Sequence, residues 1–190
     1  MAMKVKEVVE IIPPKDIFVG NPDATVTLME FGEYENEDCA KANEVVKRLL
    51  EEFEGKIKFQ FRHFPLTKIH QRSMKAGEAA VAASQAGKFW EMHNILFDNR
   101  RQLGTTSLKL YSKEAGVSNK HFLDDLINST YGWQVRNDLN EGIERGVRDV
   151  PAFFVNGQLV SGKPTFENLS KGIALALKKS KKKAPAKQRA

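Results

Sequence analysis

Val26–Ala42 reads Val-Thr-Leu-Met-Glu-Phe-Gly-Glu-Tyr-Glu-Asn-Glu-Asp-Cys-Ala-Lys-Ala. Its first half is β-branched and apolar, as a buried strand requires, and Gly20-Asn21-Pro22-Asp23 just ahead of it is a turn signal. Its second half opens a helix. Val45, Val46, Leu49, Leu50 and Phe53 fall at the spacing of one helix face, and Gly55 ends the run. Lys56–Phe64 then alternates, with Ile57, Phe59 and Phe61 on one side and Lys58, Gln60 and Arg62 on the other, which predicts a half-buried strand. Strand, helix and strand without a hairpin turn make a βαβ unit with parallel strands.

From residue 68 to 146 the text is helical. The segments Ser73–Ala86, Lys88–Arg100, Ser107–Ala115, Asn119–Ser129 and Gly132–Arg145 are separated by Gly, Asn or Ser. Phe89, Trp90, Met92, Ile95, Leu96 and Phe97 read as core rather than as a cofactor box. Ala152–Val155 and Gln158–Val160 flank Asn156-Gly157, a hairpin signal. Phe166–Leu177 closes the fold with a helix.

The chain has 190 residues, enough for one domain with an insertion. Its net charge of +6 is localised: residues 178–190 carry seven basic side chains and no acidic one, which leaves residues 1–177 at −1. That tail is expected to be disordered and to meet anionic surfaces only through nonspecific charge, without specific nucleic-acid binding. No apolar run approaches a membrane span, and Met1–Pro14 lacks the apolar core of a secretory signal. Read as the native start, it predicts a cytoplasmic protein.

Taken in order, these segments resemble the DsbA-like branch of the thioredoxin superfamily. The resemblance rests on Gly20-Asn21-Pro22-Asp23-Ala24, Phe61-Arg62-His63-Phe64-Pro65-Leu66, Gly87-Lys88-Phe89-Trp90-Glu91-Met92-His93 and Gly146–Gly157 with Val150-Pro151. It covers residues 18–177 and implies an α/β thioredoxin fold, βαβ then ββα, with a multi-helix insertion. The implied parts are an N-terminal extension (1–17), a βαβ half (18–67), the helical insertion (68–146), a ββα half (147–177) and the basic tail (178–190).

In that branch a Cys-x-x-Cys opens the first helix. Aligned on Glu30-Phe31 and Cys39, the family's first cysteine falls on Asn36, and the motif has become Asn36-Glu37-Asp38-Cys39. Cys39 is the only cysteine, so no dithiol can cycle within one chain. Glu33, Glu35, Glu37 and Asp38 surround it, and negative charge disfavours a thiolate. Cys39 therefore reads either as a small packing residue or as a lone catalytic thiol. Asn36 reads as an N-cap, or as a donor to a bound thiolate such as that of glutathione, in the manner of the kappa-class glutathione transferases and related isomerases.

The resemblance further implies a cis bond at Val150-Pro151, whose loop faces the helix start. Tyr34, Val150 and Pro151 are then expected to border a surface for an extended peptide or a small thiol. No resident cofactor is expected, glutathione being the one candidate. His63, His70, His93 and His121 lack metal spacing, so no metal site is expected. Three functional classes stay open: a non-redox binding module, a single-thiol oxidoreductase, and a glutathione-dependent transferase or isomerase.

Overall fold

A computed structural model describes residues 16–183; the expected N-terminal extension lies almost wholly outside the described residues, as does the end of the basic tail. Five strands form one sheet: β1 (Val19–Gly20), β2 (Val26–Gly32), β3 (Ile57–His63), β4 (Ala152–Val155) and β5 (Gln158–Leu159), in the order β1-β3-β2-β4-β5. The central strand β2 runs parallel to β3 and antiparallel to β4. The crossover between β2 and β3 is α1 (Glu37–Glu52). This is the α/β thioredoxin arrangement.

The insertion is five helices: α2 (Ser73–Ser84), α3 (Phe89–Asp98), α4 (Thr105–Glu114), α5 (Phe122–Ile127) and α6 (Gly132–Glu144). The Ala-rich α2 is buried at every position but Met74 and Lys75 and acts as their axle. Its small side chains allow the neighbouring helices to pack closely around it. The last helix, α7 (Phe166–Lys183), packs on α1, β2 and β4.

Three features differ from the sequence expectation. First, β3 keeps its alternation, yet its polar side is largely out of water: Gln60 and Arg62 are buried. Helix α6 covers that face. Asp138 accepts from Arg62 Nε at 2.8 Å and from the His63 backbone N–H at 3.1 Å, and Glu141 pairs with the same guanidinium. Burial lifts the Asp138 carboxyl to about 6, against the downward pull of Arg62. Second, β1 was not expected; its two residues, Val19 opposite Phe59 and Gly20 opposite Lys58, pair with the start of the outer edge of β3. Third, the closing helix does not end at Leu177 but runs into the basic segment as far as Lys183. Lysine is a good helix former, and no breaker precedes Pro185.

The Asn156-Gly157 turn closes the β4–β5 hairpin with positive φ at both residues, 48° and 79°, the type I′ geometry suited to that dipeptide. Asn156 also ties the hairpin to β2. Its Oδ1 accepts the Thr27 N–H at 2.7 Å, and its Nδ2 donates to the Thr25 carbonyl at 3.1 Å.

Candidate functional site

The site is built where β2 hands over to α1. Asn36 has extended backbone, φ −72° and ψ 129°, and its Oδ1 accepts the N–H groups of Asp38 and Cys39 at 2.8 and 2.9 Å. This side chain is a helix N-cap. Glu37 and Asp38 fill the first turn, where the helix dipole favours acids. Lys41 pairs with both, and Arg100 reaches Glu37 from beyond α3.

Cys39 faces inward and is fully buried. Burial pushes its thiol well up; Glu30 adds to this, and a backbone hydrogen bond from Glu33 offsets part of it. The helix N-terminus does not win here, because the thiol lies among apolar groups on the far side of the first turn.

The residue that the sequence reading passed over is Glu30. It lies in the middle of β2, shares the parity of Val26 and Leu28, and is 1% exposed. Burial raises its carboxyl pKa well above the usual range, and its Oε1 has no hydrogen-bond partner. The signal was present in the sequence as a carboxyl at an inward position of an apolar strand.

Tyr34 does not border a surface, contrary to expectation. The chain turns inward after Gly32 and drives the ring into the core, stacked on Phe61 at 5.4 Å and edge-on to Phe97 at 4.9 Å. Its hydroxyl donates to His93 Nδ1 at 3.1 Å, and His93 Nε2–H donates to Asn43 Oδ1 at 3.2 Å. Desolvation holds His93 down at about 3, so the imidazole is neutral and this tautomer satisfies both nitrogens. Beside it, buried Glu33 pairs with half-buried His70 and accepts the Glu35 N–H at 2.7 Å. These contacts position the loop before α1.

Val150 and Pro151 do meet the helix start. The bond between them is cis. They form one wall of a groove of about 610 Å³ whose other walls include Asp38, Lys41 and Val45 of α1 and Lys163 of the following loop. Asn36 is partly exposed at the head of α1 but is not part of the groove lining. The Val150 N–H is taken by the Asp149 carboxylate at 2.9 Å. Among the described residues no cluster of His, Cys, Asp and Glu is arranged to hold a metal ion. What the arrangement offers is a groove with charges of both signs, a capped helix and a sealed thiol.

The sequence profile of the thioredoxin family matches residues 13–174. Among curated proteins, the chain is 32% identical over 168 residues to one named Na(+)/H(+) antiporter NhaA 1 from Salinispora arenicola, a match covering 88% of this chain and 26% of that protein. The chain thus spans about a quarter of the length of the curated relatives it matches. Among solved structures, oxidised BdbD from Bacillus subtilis superposes with a TM-score of 0.78 at 22% identity, covering 85% of this chain and 92% of that one. A thioredoxin-like oxidoreductase from Silicibacter pomeroyi gives 0.75 at 24% identity, covering 85% and 91%.

Proposed function

The chain belongs to the thioredoxin family, and from that membership we propose that it is a binding module which takes an extended peptide into the groove between the start of α1 and the Val150–Pro151 loop. It does so without dithiol–disulfide exchange. One observation carries the reading: the groove beside the start of α1 is open while Cys39, in the first turn of the same helix, is fully buried. A protein that lost the groove along with its chemistry would have no reason to keep a surface of this size beside the helix end. Asp38, Lys41, Asp149 and Lys163 in the groove lining offer paired charges to a polar peptide backbone and its side chains. The Asp149 carboxylate already holds the Val150 N–H, so an incoming strand must displace it to use that donor.

A second reading is favoured by Asn36 itself. Its Oδ1 is committed to the cap, which leaves Nδ2 as a donor for the sulfur of a small thiol such as glutathione; a glutathione-dependent transferase or isomerase would use it so. The single-thiol oxidoreductase is the weakest of the three classes, since Cys39 is buried and its thiol pKa raised. A cytoplasmic location fits a chain whose one cysteine forms no internal disulfide. Ion transport does not carry over from the antiporters, a quarter of whose length is matched. Among the described residues no helix is long and apolar enough to cross a membrane.

Amide-resolved NMR titration tests the proposal. An unfolded, carboxamidomethylated polypeptide should shift the amides of Lys41, Val45, Val150 and Lys163, and Asp149→Ala should tighten its binding by freeing the Val150 donor. Reduced glutathione alone, with shifts centred on the Asn36 side-chain amide, would favour the second reading. Silence of the groove amides toward both ligands overturns both.

A further inference from the structure

On the side of the sheet edge formed by β5, a second groove of about 650 Å³ runs between the β4–β5 hairpin and α7. Its rims carry two large apolar side chains in water: Leu159 is 54% and Leu175 60% exposed. Its lining includes Lys179 and no carboxylate. On α7, Lys178 and Lys179 follow Leu175 by three and four residues, so all three share one outer face of the helix, and all three are exposed. Lys181 is exposed one turn on, and the sequence from residue 178 to the end carries seven basic groups and no acid. An apolar ridge bordered by lysines with no counter-charge is poorly suited to bulk water. It is equally unlike a purely electrostatic nucleic-acid face, which has no use for exposed leucines.

We propose that this face, the β4–β5 hairpin together with the outer side of α7, docks the protein on a lipid surface bearing anionic headgroups. Leu159 and Leu175 enter the headgroup layer while Lys178 and Lys179 lie over the phosphates, their aliphatic stems against the apolar ridge. Neither component suffices alone. Two exposed leucines bury too little apolar area to hold a protein on a membrane, and a few lysines give attraction that salt removes. Together they supply the two signals that reversible membrane attachment needs. The groove for peptide lies at the other end of β4, beside the start of α1, so both surfaces can be used at once.

The test is flotation of the full chain with vesicles of equal parts phosphatidylglycerol and phosphatidylcholine, against vesicles of phosphatidylcholine alone and against double-stranded DNA. Binding should need the anionic lipid. It should fall about fivefold for each of Lys178→Gln and Lys179→Gln, and roughly tenfold for the Leu159→Ser, Leu175→Ser pair. The leucines are exposed, so unchanged unfolding midpoints will show that these variants remain folded. A second readout uses the sealed native thiol: an environment-sensitive fluorophore attached through Leu175→Cys should label that position alone and shift to the blue on anionic vesicles. No binding to the anionic vesicles, binding indifferent to the two leucines, or DNA binding as tight as vesicle binding with no blue shift, each overturns the proposal.

Discussion

Asn36 Oδ1 accepts the backbone N–H of Cys39 at 2.9 Å. Asn36 thus holds in place, by its cap, the helical turn that carries the one thiol of the chain. Asn36→Ala should therefore lower stability by about 0.5–2 kcal/mol, while Asn36→Asp and Asn36→Ser should be close to neutral. Urea unfolding measures all three. An alanine variant as stable as the parent would show that the cap contributes nothing.

Cys39 should be inert in the folded protein. Its reaction with an aromatic disulfide reagent at neutral pH should be slow, and should become fast only on denaturation, because burial and Glu30 both raise the thiol. The protein should not accelerate dithiothreitol-dependent insulin reduction. Asn36→Cys should create a pair that oxidises to a disulfide across one helical turn, read as the loss of two titratable thiols. Insulin reduction by the unsubstituted chain above background would refute the assignment.

Glu30 sets a pH dependence whose sign can be fixed. Its carboxyl is held protonated in the fold well above its ordinary pKa, so as pH rises past the ordinary range the unfolded chain ionises and the folded one does not. The parent loses stability through that window, by about 1.4 kcal/mol per pH unit. Glu30→Gln has no proton to hold. Its stability relative to the parent should rise from about pH 4 upward and level off once the folded carboxyl ionises. The comparison of variant with parent matters, because His63 and His93, both held near 3, act in the opposite direction: they are neutral in the fold and charge on unfolding below their ordinary 6.5. A constant difference between Glu30→Gln and parent across this range would mean that Glu30 is solvated.

Gly142 brings the backbone of α6 against the rings of Phe31 and Phe64. A methyl group there would meet the Phe64 ring at 2.6 and 2.8 Å and the Phe31 ring at 3.0 Å. Gly142→Ala should cost about 1–3 kcal/mol through overpacking, outweighing the gain in helix propensity. Thermal unfolding decides it, and a stabilised variant would show that the rings can yield.

The strands and helices whose pattern is local were readable in the sequence. The alternation of Ile57, Phe59 and Phe61, the Asn-Gly turn and the five helices of the insertion all occupy the places their spacing indicates. What could not be read depends on partners distant along the chain. Arg62 looks like a solvent-facing residue until Asp138 and Glu141, on a helix more than seventy residues later, close over it. Tyr34 looks like a rim residue because a short loop before a helix is usually exposed, but the direction its ring takes is set by the space left between Phe61, His93 and Phe97. Of the residues singled out in the sequence, Val150 and Pro151 lie beside α1 in the lining of the groove. Glu30 is legible in the sequence as a carboxyl at an inward position of an apolar strand, but the extent of its burial depends on the strands that flank β2.

The tie from Asn156 to Thr25 and Thr27 bears on how the molecule is made. β2 can pair with β3 as soon as residue 63 has left the ribosome, but its other edge has no partner until β4, and the Asn156 clasp follows β4. At ordinary rates of synthesis, residues 64–151 take about 5–20 seconds to appear. For that interval the nascent chain presents the unpaired edge of an apolar strand, the kind of edge that recruits other strands. The inserted helices are therefore the part of the protein whose translation time decides how long its central strand must be shielded, and a pause within them would be felt as aggregation rather than as a loss of binding.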